Sequence, residues 1–317
     1  MSQVAATGIP VPAQHTKRFN ELQLTDIREN EYVIFPESSS EDRGYFALWD
    51  QIKAARSRNY IEISDIEKES FAVTTNGIET ESVSCLNEEA IFNLLKDKNI
   101  IIDISGLPYN IWAPIIKVAF NNNVITRVIY TEPESYSLHK NPSSSALFDL
   151  SIEFEGSAPL PGFAKLDEPE DGKSIFVALL GFEGYRPRSL IYHLDPSPKV
   201  IPVVGVPGFQ VEFPTYTITC NQELLEESQA YSDIRLSRAS CPFEVYDSLR
   251  EIRKDYPEHY MYIAPVGTKP HGLGGILFSI SNTDSTEIVF DHPVRKKGRT
   301  KGIGAIHIYD FGNFDGY

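Results

Sequence analysis

One stretch limits the fold of this chain more than any other. Asn99-Ile-Ile-Ile-Asp103 is a short apolar run ending in an acid, and Ser105-Gly106-Leu107-Pro108 then turns the chain. Proline opens a helical pattern that reaches about Phe120, and Val124–Tyr130 is apolar again. Strand, turn, helix and strand within about 32 residues make a βαβ unit. An unbroken apolar strand without polar alternation fits a parallel sheet covered on both faces.

The same grammar recurs. Asn87 before Glu88 and Glu89 reads as a helix N-cap with acids in the first turn, where the helix dipole favours them. Later, Ser174–Leu180 reads as a buried strand, Gly181-Phe-Glu-Gly184 as a turn, Arg186–Leu194 as a helix and Lys199–Val204 as a strand. Asn221 reads as another N-cap. Pro242–Lys254 carries Phe243, Tyr246, Leu249 and Ile252 on one helical face. Tyr260–Ala264, a helix from Pro270 to about Ile280, Glu287–Phe290 and a final strand Gly304–Tyr309 complete the series.

The expected fold class is therefore α/β, with two Rossmann-like lobes built on mostly parallel, doubly wound sheets. The first lobe is expected over residues 44–150 and the second over 174–317. Low-regularity sequence separates them, including the surface loops Asn141–Ser145 and Leu166–Gly172. Residues 1–43 are rich in Pro, Ser, Thr, Gln and charge and read as a flexible tail, with one short strand near Tyr32–Phe35.

Composition narrows the function classes. The 317 residues carry 29 Lys plus Arg against 44 Asp plus Glu, a net charge of −15. So acidic a surface repels phosphate backbones and anionic lipid, which argues against nonspecific nucleic-acid or membrane binding. No apolar run approaches a bilayer span. The start, MSQVAATGIPVPAQHTKR, lacks the pattern of a secretory signal. Cys85, Cys220 and Cys241 are far apart with no C-x-x-C pair, and no H-x3-H or H-E-x-x-H spacing occurs, so neither disulfides nor a metal site are expected. A cytoplasmic setting follows as the expectation.

In doubly wound sheets, ligands sit beyond the carboxyl ends of the strands, so those turns hold the candidate residues. After Tyr260–Ala264 come Gly267, Thr268 and Lys269, then a proline-initiated helix containing Gly272, Gly274 and Gly275. Free amides at a helix start, a hydroxyl and an ammonium together suit an anion. The alternative is that the glycines only allow close helix packing. Asp291–Lys301 holds five basic residues and reads as a loop, with Arg295 and Arg299 as candidate phosphate clamps; the alternative is a solvated charge run. After Ser174–Leu180, Glu183 is a candidate catalytic base or ribose ligand and Arg186 a candidate phosphate ligand, unless the two simply pair at i, i+3. Asp103 is a second candidate catalytic acid or base, and equally a turn-capping residue. Arg188 and His193 have the R-x4-H spacing of HEPN ribonucleases, a spacing common by chance and out of place in an α/β context.

Val266-Gly267-Thr268-Lys269, following a strand and opening a helix, resembles the G-T-K turn of CRISPR-associated Rossmann-fold (CARF) sensors and related proteins of bacterial defence systems. The resemblance implies a ligand pocket at that turn, recognition of nucleotide-like small molecules, homodimerisation and a protein partner in an anti-phage complex. Val266 stands where that family often has a first glycine, and no effector domain is legible. The expected function is a nucleotide-like anion sensor or accessory component of a defence system. An enzyme acting on a nucleotide or sugar phosphate, and a protein–protein adaptor without ligand, are the alternatives. Sequence alone names no cofactor.

Overall fold

The computed structural model describes residues 15–39, 43, 44, 47–143, 146–165 and 173–312. The expected tail residues 1–14 and 40–42, residues 144 and 145 of the first expected surface loop and the whole of the loop at 166–172 lie outside them. The chain divides into two compact units, one made of residues up to Ser135 and from Thr300 onward, the other of Tyr136–Arg299.

The first unit begins with β1 (Thr16–Phe19) and β2 (Glu31–Pro36), then α1 (Ala47–Ala54). β3 (Asn59–Ser64), β4 (Ser70–Thr75) and β5 (Ile78–Ser84) form an antiparallel meander. α2 (Glu88–Leu95) follows, capped by Asn87, whose side chain accepts the Ala90 N–H at 3.0 Å. Then come β6 (Asn99–Asp103), α3 (Tyr109–Asn121) and β7 (Thr126–Tyr136), the βαβ unit the sequence announces. β7, β6, β2 and β3 run parallel to one another at the centre of an eight-stranded sheet. Val33, Ile34 and Phe35 are all buried. Successive strand residues point to opposite faces, so β2 is covered on both sides.

Two expectations are corrected here. Residues 16–36 are not tail: β1 is an edge strand and β2 a central one. Glu31 on β2 is buried against Arg127 of β7, whose Nε donates to its Oε1 at 2.6 Å, and a second guanidinium N–H bonds Oε2. Two charges can be buried only as a pair, so this bond ties the segment to the sheet.

The second unit continues with the short strands β8 (Leu138–Ser143), β9 (Ala146–Phe148), β10 (Ser151–Phe154) and β11 (Ala158–Pro159). Its main run is β12 (Ser174–Leu179), α4 (Tyr185–Tyr192), β13 (Lys199–Gly205), α5 (Phe213–Cys220), α6 (Gln222–Glu227), β14 (Arg235–Ser237), α7 (Pro242–Asp255), β15 (Tyr260–Ala264), α8 (Lys269–Ser281) and β16 (Thr286–Phe290). β17 (Pro293–Arg295) pairs with β10. The sheet order is β11-β16-β15-β12-β13-β14, all parallel except the edge strand β11. Chain direction across the sheet reverses at the β12/β15 pair. Ile175 through Leu179 are all fully buried. Phe176, Ala178 and Leu180 pack with Leu190 of α4 and with Leu224 and Leu225 of α6. On the opposite face, Gly275 of α8 comes close to Ile263 and Leu179.

The last strand is the second correction. β18 (Thr300–Asp310) lies beside β1 and β7 in the first unit's sheet, not in the second unit. Its alternation of side chains determines that it is a strand, while the choice of partner is non-local.

Candidate functional site

The second unit opens a pocket at the carboxyl ends of β12, β13 and β15, where the sheet changes direction. Its empty volume is about 600 Å³, solvent at the mouth included, and every lining residue belongs to this unit. Two turns meet there. A Cβ on Gly181 would lie 2.8 Å from the Gly267 Cα, and one on Gly267 would lie 2.3 Å from the Leu180 carbonyl oxygen. Only a bare backbone lets the turn after β12 touch the turn after β15. Asn221 fastens the first of them, its Nδ2 donating to the Gly181 carbonyl at 2.7 Å and to that of Thr217 at 2.8 Å. It therefore acts as a tether and not as the side-chain N-cap that its sequence context suggests.

Above the glycines stands an aromatic wall. Tyr136, Phe182 and Phe213 meet edge-on or tilted, with ring centroids 5.2–5.8 Å apart, and Phe209 and Thr217 extend the lining. Among the described residues, the charged side chains of the lining are Glu183, Arg295 and Arg299. Glu183 Oε2 accepts from Arg295 Nη1 at 2.9 Å and from Arg186 Nη1 at 3.1 Å. Arg295 Nη1 also donates to Ser151 Oγ at 3.1 Å. Arg299 is 8% exposed, and burial pulls its pKa down to about 10.

The candidates separate into groups. Gly267, Thr268, Glu183, Arg295 and Arg299 come together in one pocket. Arg186 stands behind it. Its Nε and Nη2 grip Asp291 bidentately at 2.8 and 2.7 Å, and Nη1 also reaches the Val266 carbonyl at 3.1 Å. The i, i+3 pair with Glu183 is made, but in the interior rather than on the surface. Arg186 therefore holds the two turns together and does not present itself as a phosphate ligand. Thr268 is engaged as the N-cap of α8, accepting the His271 N–H and donating to the Ala239 carbonyl at 2.8 Å. Lys269 opens α8 and is not part of the lining. Gly274 serves helix packing, since a Cβ there would come 2.4 Å from the Pro242 carbonyl oxygen on α7.

Asp103 lies in the first unit, fully buried, and its Oδ1 accepts the Ser105 N–H at 2.8 Å in the turn-capping manner. The basic run is split: Arg295 and Arg299 line the pocket, Lys296 pairs with Asp149, and Lys297 and Lys301 are exposed. Arg295 sits on a strand, because β17 adds to β10, so this part of the run is no loop. Arg188 is taken up by Glu223 and Glu227 on the surface.

Sequence reasoning missed the aromatic wall. Phe182 stood inside a turn already singled out. Val206-Pro207-Gly208-Phe209, directly after the buried strand β13, carries the same strand-then-glycine signal and would have led to Gly208 and Phe209. Tyr136 ends a strand and carries only a weak signal on that account, and Phe213 gives no local sign; both reach the pocket from segments distant along the chain.

Among the described residues, no helix is long and apolar enough to cross a membrane. No family model matches this chain, and no curated protein or solved structure matches it either.

Proposed function

We propose that the second unit is a Rossmann-like module that binds a nucleotide-like anion in the pocket at the β12/β15 switch, and that the protein works as a sensor of that ligand. The observation that carries this reading is the coincidence, in one pocket, of an aromatic wall with Arg295 and Arg299 over a glycine-lined strand end. Aromatic faces stack on a base, guanidiniums clamp a phosphate, and a direction reversal in a parallel sheet is where such folds leave a crevice. The parallel strands, taken in chain order as 3-2-1-4-5, follow the dinucleotide-binding arrangement. The glycine fingerprint of that fold is absent, and no acid follows β13 directly where a ribose acid would stand, so a dinucleotide cofactor is disfavoured. The likeness of the Gly267-Thr268-Lys269 turn to CARF proteins adds a role in a defence complex, and a homodimer, to the proposal.

A thermal-shift screen of the full chain against mononucleotides, dinucleotides, cyclic oligonucleotides and sugar phosphates tests it, with each hit recovered and analysed. A ligand at 100 times its Kd adds about 2.7 kcal/mol to the folded state. Arg299→Gln and Arg295→Gln should each cost on the order of 10- to 100-fold in affinity, the worth of a charge-assisted hydrogen bond. Silence across the panel, or unchanged affinity in both variants, removes the pocket from consideration. Chemical conversion of the ligand moves Glu183, which faces the pocket, from ligand contact to catalytic base.

A further inference from the structure

The parallel strands of the two units are paired in the same register throughout. Their orders are β3-β2-β6-β7 and β13-β12-β15-β16. Glu31 lies opposite Asn99 as Ser174 lies opposite Tyr260, and Tyr32 opposite Asn59 as Ile175 opposite Lys199. Ile100 lies opposite Thr126 as Met261 lies opposite Thr286. A slip of one residue turns every side chain of a strand over, and membership of the α/β class does not by itself make all three pairings agree. α3 and α8 each have 13 residues and are followed by an asparagine, Asn122 or Asn282. Each asparagine Nδ2 donates to the carbonyl four residues back, at 2.8 and 2.9 Å. Gly44 meets Gly106 as Gly181 meets Gly267: a Cβ on Gly44 would lie 2.6 Å from the Gly106 Cα. Arg43 donates to the Thr131 carbonyl at 2.5 Å, and Thr131 holds the place after Thr126 that Asp291, the partner of Arg186, holds after Thr286.

The units differ in what stands beyond that shared core. In the second, the chain leaving β13 passes through Gly205, Gly208 and Phe209, which line the pocket together with Thr268 at the start of α8. In the first, Asp65 takes the place of Gly205, and the turn after it is clasped to the start of α3. Asn110 makes the clasp, its Nδ2 donating to the carbonyls of Glu67 at 3.0 Å and Lys68 at 2.9 Å. Pro36 Cγ stands 2.8 Å from where a Cβ of Gly106 would lie, so the chain's own side chain packs on that turn. We infer that the two units are copies of one module, that the first is a closed copy, and that the second alone takes a ligand, one nucleotide-like anion per chain. The ligand in this statement rests on the binding function proposed above; the shared register does not.

Photolabelling of the full chain with azidoadenosine and azidoguanosine monophosphates, followed by peptide mass spectrometry, tests the inference. The label that excess unlabelled nucleotide competes away should fall on peptides of the second unit, at no more than one per chain. Competed label on the first unit's strand-end turns, at Glu37–Ser39, Asp65–Lys68 or Ser105–Leu107, overturns the inference and leaves the pocket in place. Competed label on neither unit overturns the binding function proposed above, and the open state of the second copy with it. Two substitutions give an independent check. Gly106→Ala and Gly267→Ala put a methyl group into equivalent junctions, so both should lower the urea midpoint. Only Gly267→Ala should raise the half-saturating nucleotide concentration, by about tenfold, while Gly106→Ala labels as the wild type does. An equal loss of labelling in the two variants overturns the division between the copies, and a midpoint unmoved by Gly106→Ala overturns their equivalence.

Discussion

Gly181 and Gly267 lie back to back, so close that a methyl group on either would strike the other's turn. The bare backbone at these two positions lets the carboxyl ends of β12 and β15 meet, and the pocket opens over that junction. Gly267→Ala places a carbon 2.3 Å from the Leu180 carbonyl oxygen, a backbone atom that cannot turn aside. Overpacking of this kind costs about 1–3 kcal/mol. Chemical denaturation should show a loss in that range, together with weakened binding of any pocket ligand. Wild-type stability in the variant would mean that the two turns are not in contact.

Arg186 and Asp291 form a buried bidentate pair. Removing one member strands the other in the interior, at a cost of about 3–5 kcal/mol, whereas replacing both with neutral groups of similar size costs much less. Arg186→Met should therefore lower the denaturation midpoint more than the double change Arg186→Met with Asp291→Asn. Additive losses in that cycle would show that the two side chains do not interact.

His271 is fully buried on α8, and its Nε2 faces the Arg238 carbonyl at 3.1 Å, which assigns the proton to Nε2. Burial pushes its pKa from 6.5 down to about 4. The unfolded chain thus takes up a proton near pH 6.5 and the folded chain only near pH 4, so stability falls as pH drops through that window. The loss is roughly 3 kcal/mol when complete, from about 1.4 kcal/mol for each pH unit. Urea unfolding between pH 7 and pH 4 should give a flatter slope for His271→Gln than for the wild type. An identical slope would assign the acid sensitivity to other groups.

Glu31 ties β2 to β7 through Arg127. Glu31→Ala leaves that guanidinium buried without its carboxylate and should cost about 3–5 kcal/mol. Thermal denaturation decides the matter: a shift of a degree or less is what a loose N-terminal segment would give.

The elements readable from sequence were those whose signal is local. Asn99–Asp103 and Tyr260–Ala264 appear in the structure with the boundaries read from their apolar runs, and Asn87 caps its helix as its acidic neighbours suggest. β14 escaped because three residues carry no period. From sequence, Tyr32–Phe35 reads as a short strand inside a tail, being flanked by polar residues; the strand is present, and the pairing with β3 and β6 that makes it central lies far along the chain.

The candidate site divides in the same way. Glycine turns after buried strands pointed to Gly267 and Glu183, because chain reversal at a strand end needs local residue types. The rank among the candidates was invisible: Arg186 and Arg295 look alike in sequence, yet only one lines the pocket, since Asp291 at a separation of 105 residues claims the other. Local side-chain chemistry by itself determined the α/β alternation and the turns at strand ends. Which strands pair, which charges neutralise each other and which aromatic rings gather around a pocket were decided by tertiary structure alone, because burial and ion pairing act between residues that are close in space and distant along the chain.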